Sequence, residues 1–421
     1  MIDDTSTNSP SVLFIGVNYA PEPTGIAPYT TGMARALVAD GIDARVLTAY
    51  PHYPWWRVLD GYRGFTRSEV INGVPVSRRR HFVPRRHNTL SRSISEVTFG
   101  VRALFARWGR PDVIVLVSPA LISSRMAAVR ARWLRIPTIV WVQDIYTLGI
   151  RETGGGGLSA RLVASIERGL ANSASRVIVI HERFRRMLRD DLGVVVPLDI
   201  VRNWSHIAPV ERSEATREKL GWGVDEFIVL HAGNMGAKQG LENIVHAARE
   251  AERRGSRVRF VLLGDGNRRA ALEAIGPSTH LQYVDPLPDG EFEKALASAD
   301  ALIVNELPGM TEMSVPSKLT SYFATGLPVI AAVDESSITH DEVQDSGAGE
   351  CVPAGDPAAL VDAAERLAAD PVLRASFGAA GRAYRERHLT ERAAVTAFAD
   401  ALRASVSPAS GETPESSKER V

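Results

Sequence analysis

The chain has 421 residues, and its 49 Lys plus Arg balance 49 Asp plus Glu, so its global charge points to no particular partner and local charge matters more. A composition 45% hydrophobic and 23% charged is that of a folded globular chain, and the length exceeds what one core supports, so two domains are expected. Cys351 is the only cysteine, which excludes a disulfide framework and a cysteine-based metal site and fits a reducing compartment.

Residues 1–10 are polar, carry Asp3 and Asp4, and read as a disordered N-terminus rather than a signal peptide. No run of about 18 apolar residues occurs, so no transmembrane helix is expected. Apolar runs of strand length then alternate with helical patterns. In the first half, strands are predicted at Ser11–Gly16, Ala44–Thr48, Asp112–Val117, Pro137–Val142, Arg176–Ile180 and Leu198–Val201. In the second half they fall at Glu226–Ala232, Val258–Leu263, His280–Val284, Ala301–Val304, Pro328–Ala332 and Glu350–Val352. Helices such as Thr30–Asp40, Leu241–Arg254 and Asp356–Asp370 lie between them. The strand runs are continuous rather than alternating, as parallel strands covered on both faces require. Strand–helix alternation predicts two doubly wound, Rossmann-like sheets. The pattern pauses over the polar stretch Ser205–Gly223. The expected domains are therefore 11–205 and 206–384, followed by a helix over 385–404 packing back on the first domain and a disordered tail over 405–421.

Ligands of such sheets bind beyond the carboxyl ends of the strands, so the chemistry should lie in the strand-to-helix loops. The first strand leads into a long loop ending in Thr24-Gly25, with no G-x-G-x-x-G, which argues against a nicotinamide enzyme. This loop is either an ordinary turn or a set of backbone donors for phosphate or sugar hydroxyls. The segment Gly233-Asn234-Met235-Gly236-Ala237-Lys238-Gln239-Gly240 combines three glycines with a mobile lysine, and Gly264-Asp265-Gly266 forms another tight turn on the next strand. Both suit a diphosphate or ribose. In Pro316-Ser317-Lys318-Leu319, Ser317 reads as the cap of a helix that Gly326 ends. A lysine there suits a diphosphate, because ammonium and helix dipole act together, or it is simply solvated. Asp144 follows a buried strand and either orients an acceptor hydroxyl or caps the next helix. His181 follows another strand and reads as structural.

Taken together, these segments resemble family 4 retaining glycosyltransferases of the GT-B fold, in particular those of the colanic-acid type that build bacterial surface polysaccharide. The match is carried by Asn18–Ile26, Gly233–Glu242, Pro316–Leu319 with Gly326–Ile330, and Arg202-Asn203-Trp204, and it spans Val12 to Leu402. The resemblance implies two Rossmann-like domains facing across a cleft, and transfer of a hexosyl or N-acetylhexosaminyl group from a nucleotide-diphosphate-sugar. It implies that the Gly25 loop faces donor and acceptor, and that Gly233, Asn234, Lys238, Gln239, Ser317 and Lys318 with Pro316 and Leu319 hold the diphosphate. Gly264, Asp265 and Gly266 would lie near the nucleoside and Asn203 near the sugar. No cofactor and no metal are expected, since Lys238 and Lys318 can neutralise the leaving group. The sequence departs from the family where two glutamates are usual: those positions fall on Met313 and Ser321, with Glu306 and Glu312 nearby. The usual histidine falls on Gln143, leaving Asp144 beside it.

Two other functions fit the architecture: a nucleotide-sugar 2-epimerase, which needs clustered carboxylates and histidines, and a sugar-nucleotide-binding protein without catalysis. The remaining feature is local charge. Nine arginines and one acid, Glu96, lie between Arg78 and Arg110, where Ile94, Val97, Val101, Leu104, Phe105 and Trp108 recur at helical spacing. This stripe either packs on the first sheet or lies at an anionic membrane. The second reading suits a cytoplasmic enzyme, peripheral on the inner face of the membrane, that uses a polyprenyl-diphosphate-linked acceptor.

Overall fold

The computed structural model describes residues 9–23, 25–84, 89–147, 158–204, 210–309 and 317–406. Expectations for Thr24, Arg85, Arg86, Glu312, Met313, Pro316, the Ser317 side chain, and both chain ends fall outside them. The described residues form two compact units: those up to Tyr146 with Arg161–Val201 and Val395–Val406, and those between Arg202 and Ala394 with Thr147 and 158–160.

The first unit holds β1 (Val12–Ile15), β2 (Ala44–Ala49), β3 (Thr66–Ile71), β4 (Val74–Arg79), β5 (Val113–Val117), β6 (Thr138–Val142), β7 (Arg176–Val179) and β8 (Leu198–Ile200). Their order is β3-β4-β2-β1-β5-β6-β7-β8, and only β3 runs antiparallel to its neighbour. The second unit holds β9 (Phe227–Ala232), β10 (Val258–Leu263), β11 (Leu281–Val284), β12 (Ala301–Asn305), β13 (Val329–Ala332) and β14 (Gly349–Val352), all parallel, in the order β11-β10-β9-β12-β13-β14. Each sheet is thus a Rossmann-like, doubly wound sheet whose winding reverses beside its first strand. The reversal lies between β1 and β5 in one and between β9 and β12 in the other, where the loops diverge and leave room for a ligand. The central strands are buried because their runs of Val, Ile and Leu are sandwiched between helices; every residue of β9 and β12 is buried.

Four features differ from expectation. The hairpin β3–β4 is not among the predicted strands. Its turn, Asn72-Gly73, has φ of 51° and 81°, the doubly left-handed geometry that Asn-Gly favours. The polar stretch before β9 is not all linker: helix Glu214–Lys219 folds onto the second unit through buried Arg217, which donates to Ser298 O, Gly223 O and Glu226 O and pairs with Asp300 at 3.0 Å. The expected helix over 385–404 consists of the end of helix Pro371–His388 and most of helix Glu391–Val406. From Val395 onward that last helix belongs to the first unit, where Phe398 stacks on Phe14 at 5.9 Å and meets Trp141 edge-on at 5.0 Å. Ser405 still belongs to it and donates to Ala401 O.

The fourth difference concerns helix Thr89–Leu104. Its buried face is Ser95, Phe99, Gly100 and Ala103, packed on helix Leu121–Leu134. Gly100 permits the approach: a Cβ there would lie 3.1 Å from Ser123 Cα. The apolar residues predicted as one stripe therefore divide. Trp108 is buried, while Ile94, Val97, Val101 and Phe105 are exposed. Among the described residues no helix is long and apolar enough to cross a membrane.

Candidate active site

In the second unit the glycine loops and Lys318 converge at the carboxyl end of β9. The Gly233–Gly240 loop and the Gly264-Asp265-Gly266 turn pack backbone on backbone. Met235 N donates to Asp265 O at 2.9 Å and Arg268 N to Met235 O at 3.0 Å. Side chains would destroy this contact. A Cβ on Gly264 would fall 2.1 Å from Gly233 O, and one on Gly266 2.4 Å from Met235 O. Asp265 is exposed and its carboxylate accepts from Gly266 N at 2.8 Å. Gln239 accepts from Gly236 N at 3.0 Å, closing the turn that carries the exposed side chains of Asn234 and Lys238. Asn305, at the end of β12, donates to Gln239 O and Gly240 O at 2.8 and 3.0 Å, and Leu307 N donates to Lys238 O at 2.9 Å. The backbone at Lys238 is thereby fixed across the reversal point of the sheet.

Helix Ser317–Thr325 is held to β9 by two side chains one turn apart, Lys318 and Tyr322. The Tyr322 hydroxyl accepts from Ala232 N at 3.0 Å, and Lys318 Nζ lies 3.0 Å from His231 Nε2. An ammonium only donates, so Nε2 is the accepting nitrogen and the ring proton sits on Nδ1. His231 is fully buried, and burial first, then the Lys318 charge, holds its pKa well below the usual histidine range. A neutral imidazole therefore positions a lysine whose stem passes Gly233: a Cβ there would lie 3.2 Å from Lys318 Cε. Gly233 also has φ of 120°. Ser321 is half-buried on the same helix, whereas Leu319 packs in the hydrophobic core and is not placed to meet a ligand. Glu306 is buried, accepts from the Thr339 hydroxyl, and has its pKa raised by burial.

Arg202-Asn203-Trp204 opens the second unit. Trp204 is buried, Asn203 is half-buried, and the Arg202 guanidinium pairs with Glu342 and lies 3.3 Å from the Tyr384 hydroxyl.

In the first unit the loops after β1, β2 and β4 are joined by side chains. Buried Glu22 accepts from His52 N at 2.7 Å, Tyr53 N at 2.9 Å and Asn18 Nδ2 at 2.8 Å. The His52 and His81 rings meet at 4.8 Å; burial, then His52, pushes the His81 pKa down to about 3. Gly25 has φ of 68° and ends this loop beside Tyr53. Asp144 is half-buried two residues beyond β6, and Ser118 Oγ donates to its carbonyl at 3.4 Å. His181 caps helix Glu182–Asp190, its Nδ1 accepting from Arg183 N, so it is structural. His231, Asn305 and the Glu22–His52–His81 cluster were not read from the sequence. The available signals were a histidine and an asparagine ending otherwise apolar strand runs.

Among the described residues no group of three His, Cys, Asp or Glu side chains has a geometry that would hold a metal ion.

Comparison with known proteins fits this arrangement. Residues 24–204 match the glycosyl transferase 4-like domain, and residues 212–384 match the glycosyl transferases group 1 domain. A protein of Escherichia coli (strain K12) named as a colanic acid biosynthesis glycosyl transferase, WcaI, is 31% identical over 336 residues, covering 75% of this chain and 81% of its own. Among solved structures, sucrose-phosphate synthase from Thermosynechococcus elongatus superposes with a TM-score of 0.69 at 18% identity, covering 94% of this chain and 98% of its own. Anabaena HepE in complex with UDP superposes with a TM-score of 0.69 at 15% identity, covering 94% of this chain and 100% of its own. At those identities the likenesses bear on the fold alone. The matched domains and the Escherichia coli relative establish the family: the chain belongs to the family 4 glycosyltransferases and has their GT-B fold of two Rossmann-like domains.

Proposed function

We propose that the chain transfers a glycosyl group, with retention of configuration, from a nucleotide-diphosphate-sugar to a lipid-linked intermediate in bacterial surface polysaccharide synthesis. The observation that carries this reading is the Lys318 ammonium, held by neutral His231 beside the glycine loops at the reversal point of the second sheet. The anomeric carbon–oxygen bond breaks with its electron pair going to the diphosphate, the acceptor hydroxyl oxygen forms the new bond on the same face, and the hydroxyl proton passes to the departing diphosphate oxygen. Most of the barrier is charge developing on the leaving group, so preorganised donors there supply most of the stabilisation. Lys318, Lys238 and the Gly233–Gly240 loop, with its Asn234 and Gln239, take that role, and the start of helix Ser317–Thr325 adds its dipole. Gly264-Asp265-Gly266 lies toward the nucleoside, Ser321 toward the ribose, and Asn203 toward the sugar. In the first unit the Gly25 loop and Asp144 orient the acceptor hydroxyl. The name of the Escherichia coli relative supports the polysaccharide setting, and the UDP in the HepE structure supports a nucleotide donor. The reaction proceeds on the cytoplasmic side without a metal, because lysines neutralise the leaving group.

Thermal melting against a panel of UDP-, GDP- and dTDP-sugars should show stabilisation by one nucleotide class, as ligand binding to the folded state requires. Donor hydrolysis and transfer with that sugar should survive EDTA. No stabilisation by any member removes the donor reading; loss of activity in EDTA restored by magnesium or manganese removes the metal-independent one.

A further inference from the structure

The apolar face that helix Thr89–Leu104 turns outward is larger than the fold requires. Leu90 is 70% exposed and Phe105 86%, with Ile94, Val97 and Val101 between them at 43%, 41% and 40%. Their spacing of four, three, four and four residues sets them in one line, about 22 Å long at the helical rise. The helix already buries its other face on helix Leu121–Leu134, and this line is left at the surface. Phe65, 72% exposed, stands beside it: the Arg102 guanidinium lies 5.2 Å from its ring and donates to its carbonyl at 3.0 Å.

Between residues 78 and 110 the exposed charge has one sign. Arg78 is not part of it, being buried and bonded to Glu69, Ala49 O and Ala20 O. Arg80, Arg92, Arg107 and Arg110 are exposed, and Arg79 and Arg102 half-buried. Glu96, the sole acid between residues 78 and 110, spends its carboxylate inward, accepting from Ile122 N at 2.8 Å and the Tyr146 hydroxyl at 2.9 Å. The Arg92 guanidinium sits 5.3 Å from the Trp56 ring, which places the first turns of the helix beside the loop following β2.

We propose that this outer face, from Leu90 to Phe105, inserts into an anionic bilayer surface. It rests on the reading of a lipid-held acceptor and adds the surface that reaches it. A second copy of the chain fits less well, because a two-fold interface would set the arginines of one copy against those of the other. A bilayer takes both components at once: apolar side chains below the headgroups, and guanidiniums at the lipid phosphates. In that pose the loop bearing His52 and Trp56 lies at headgroup depth, where a lipid-diphosphate-linked sugar would be presented.

The test is co-sedimentation with vesicles of phosphatidylcholine alone and of phosphatidylcholine with phosphatidylglycerol, each at low and high salt. Wild type should bind the anionic vesicles and be released by salt. The triple variant Leu90→Ser, Val101→Ser, Phe105→Ser and the triple variant Arg80→Ser, Arg107→Ser, Arg110→Ser should each lose about tenfold or more in partitioning. All these side chains are exposed, so urea midpoints should not move. Equal binding of wild type to both vesicle types, no binding to either, or wild-type binding by the apolar triple variant would overturn the proposal. So would a lipid-free dimer that the apolar variant dissociates. Thermal stabilisation by UDP or GDP, measured in parallel, reads the donor site separately: its absence in a vesicle-binding wild type would remove the donor reading and leave this surface standing.

Discussion

The two sheets share a winding plan but hold their first loops by opposite means. After β9, backbone meets backbone: Gly233, Gly264 and Gly266 let two turns touch, and the side chains brought there are a lysine and the neutral histidine that positions it. After β1, side chains do the holding: one Glu22 carboxylate gathers N–H groups from the loop after β2, and His52 and His81 pack ring to ring. The first arrangement suits a fixed polyanion, for which close backbone approach and preorganised positive charge matter most. The second surrounds its loops with aromatic and imidazole surface, which suits the face and hydroxyls of a sugar ring. One topology thus carries two kinds of loop surface through the residues allowed at the carboxyl ends of its strands.

The comparison breaks most sharply at glycine. Gly264→Ala places a methyl 2.1 Å from Gly233 O at a φ of 133°, so both turns must separate. We expect a loss of more than about 3 kcal/mol in urea unfolding, from overpacking added to backbone strain. Gly16→Ala, after the first strand of the other sheet, places its methyl 3.0 Å from Val117 Cβ. It should cost about 1–2 kcal/mol, since a contact of 3.0 Å needs a far smaller shift than one of 2.1 Å. Equal losses would show that the two loops are not built differently.

Lys318→Ala sharpens the functional half. Losing one charge-stabilising donor at a leaving group costs about 3 kcal/mol in the transition state, or roughly a hundredfold in kcat. Stability should fall by much less than that, about 1 kcal/mol for the hydrogen bond lost at His231 Nε2. Steady-state transfer kinetics beside urea midpoints separate the two; wild-type kcat in the variant would remove Lys318 from the site.

Much of the fold was legible because buried parallel strands leave continuous apolar runs, and the predicted runs coincide with the strands of both sheets apart from the β3–β4 hairpin. That hairpin escaped because β3 is an exposed edge whose Thr66-Arg67-Ser68-Glu69 carries no apolar period, although Asn72-Gly73 marked its turn. The glycine loops and Lys318 were legible as types of residue at strand and helix ends. His231 was not, since its partner lies 87 positions away and only the packing of a helix start on β9 joins them. Glu22 escaped likewise: within Pro21-Glu22-Pro23 it reads as a solvated loop acid, and its burial depends on N–H groups 30 and 31 residues later. Helical spacing located the Ile94–Phe105 stripe but could not say which face the neighbouring helix would cover.

The smallest expected effect concerns protons and falls on the first unit. His81 is 8% exposed, and its pKa is pushed down to about 3 by burial and then by His52, whose own pKa is lowered by burial against the opposing charge of Glu22. In the unfolded chain a histidine titrates near 6.5, so below that pH the unfolded state binds a proton that the folded state refuses. The stabilisation is present above about pH 6.5 and is lost as pH falls toward 3, at up to about 1.4 kcal/mol per pH unit, or roughly 2 kcal/mol by pH 5. His81→Phe removes this proton from the balance and puts an aromatic ring beside Phe99, which already meets the His81 ring at 6.1 Å. Hydrogen exchange of peptides covering residues 44–52 and 74–84 should show opening free energies that fall between about pH 7 and pH 5 in wild type, and fall less by about one proton in the variant. Peptides over β9 retain buried His231 and should keep their own acid dependence in both proteins. Identical pH slopes for wild type and variant in the first unit would mean that His81 carries its proton in the folded state, and the ring pair would then be a charged contact rather than a neutral one.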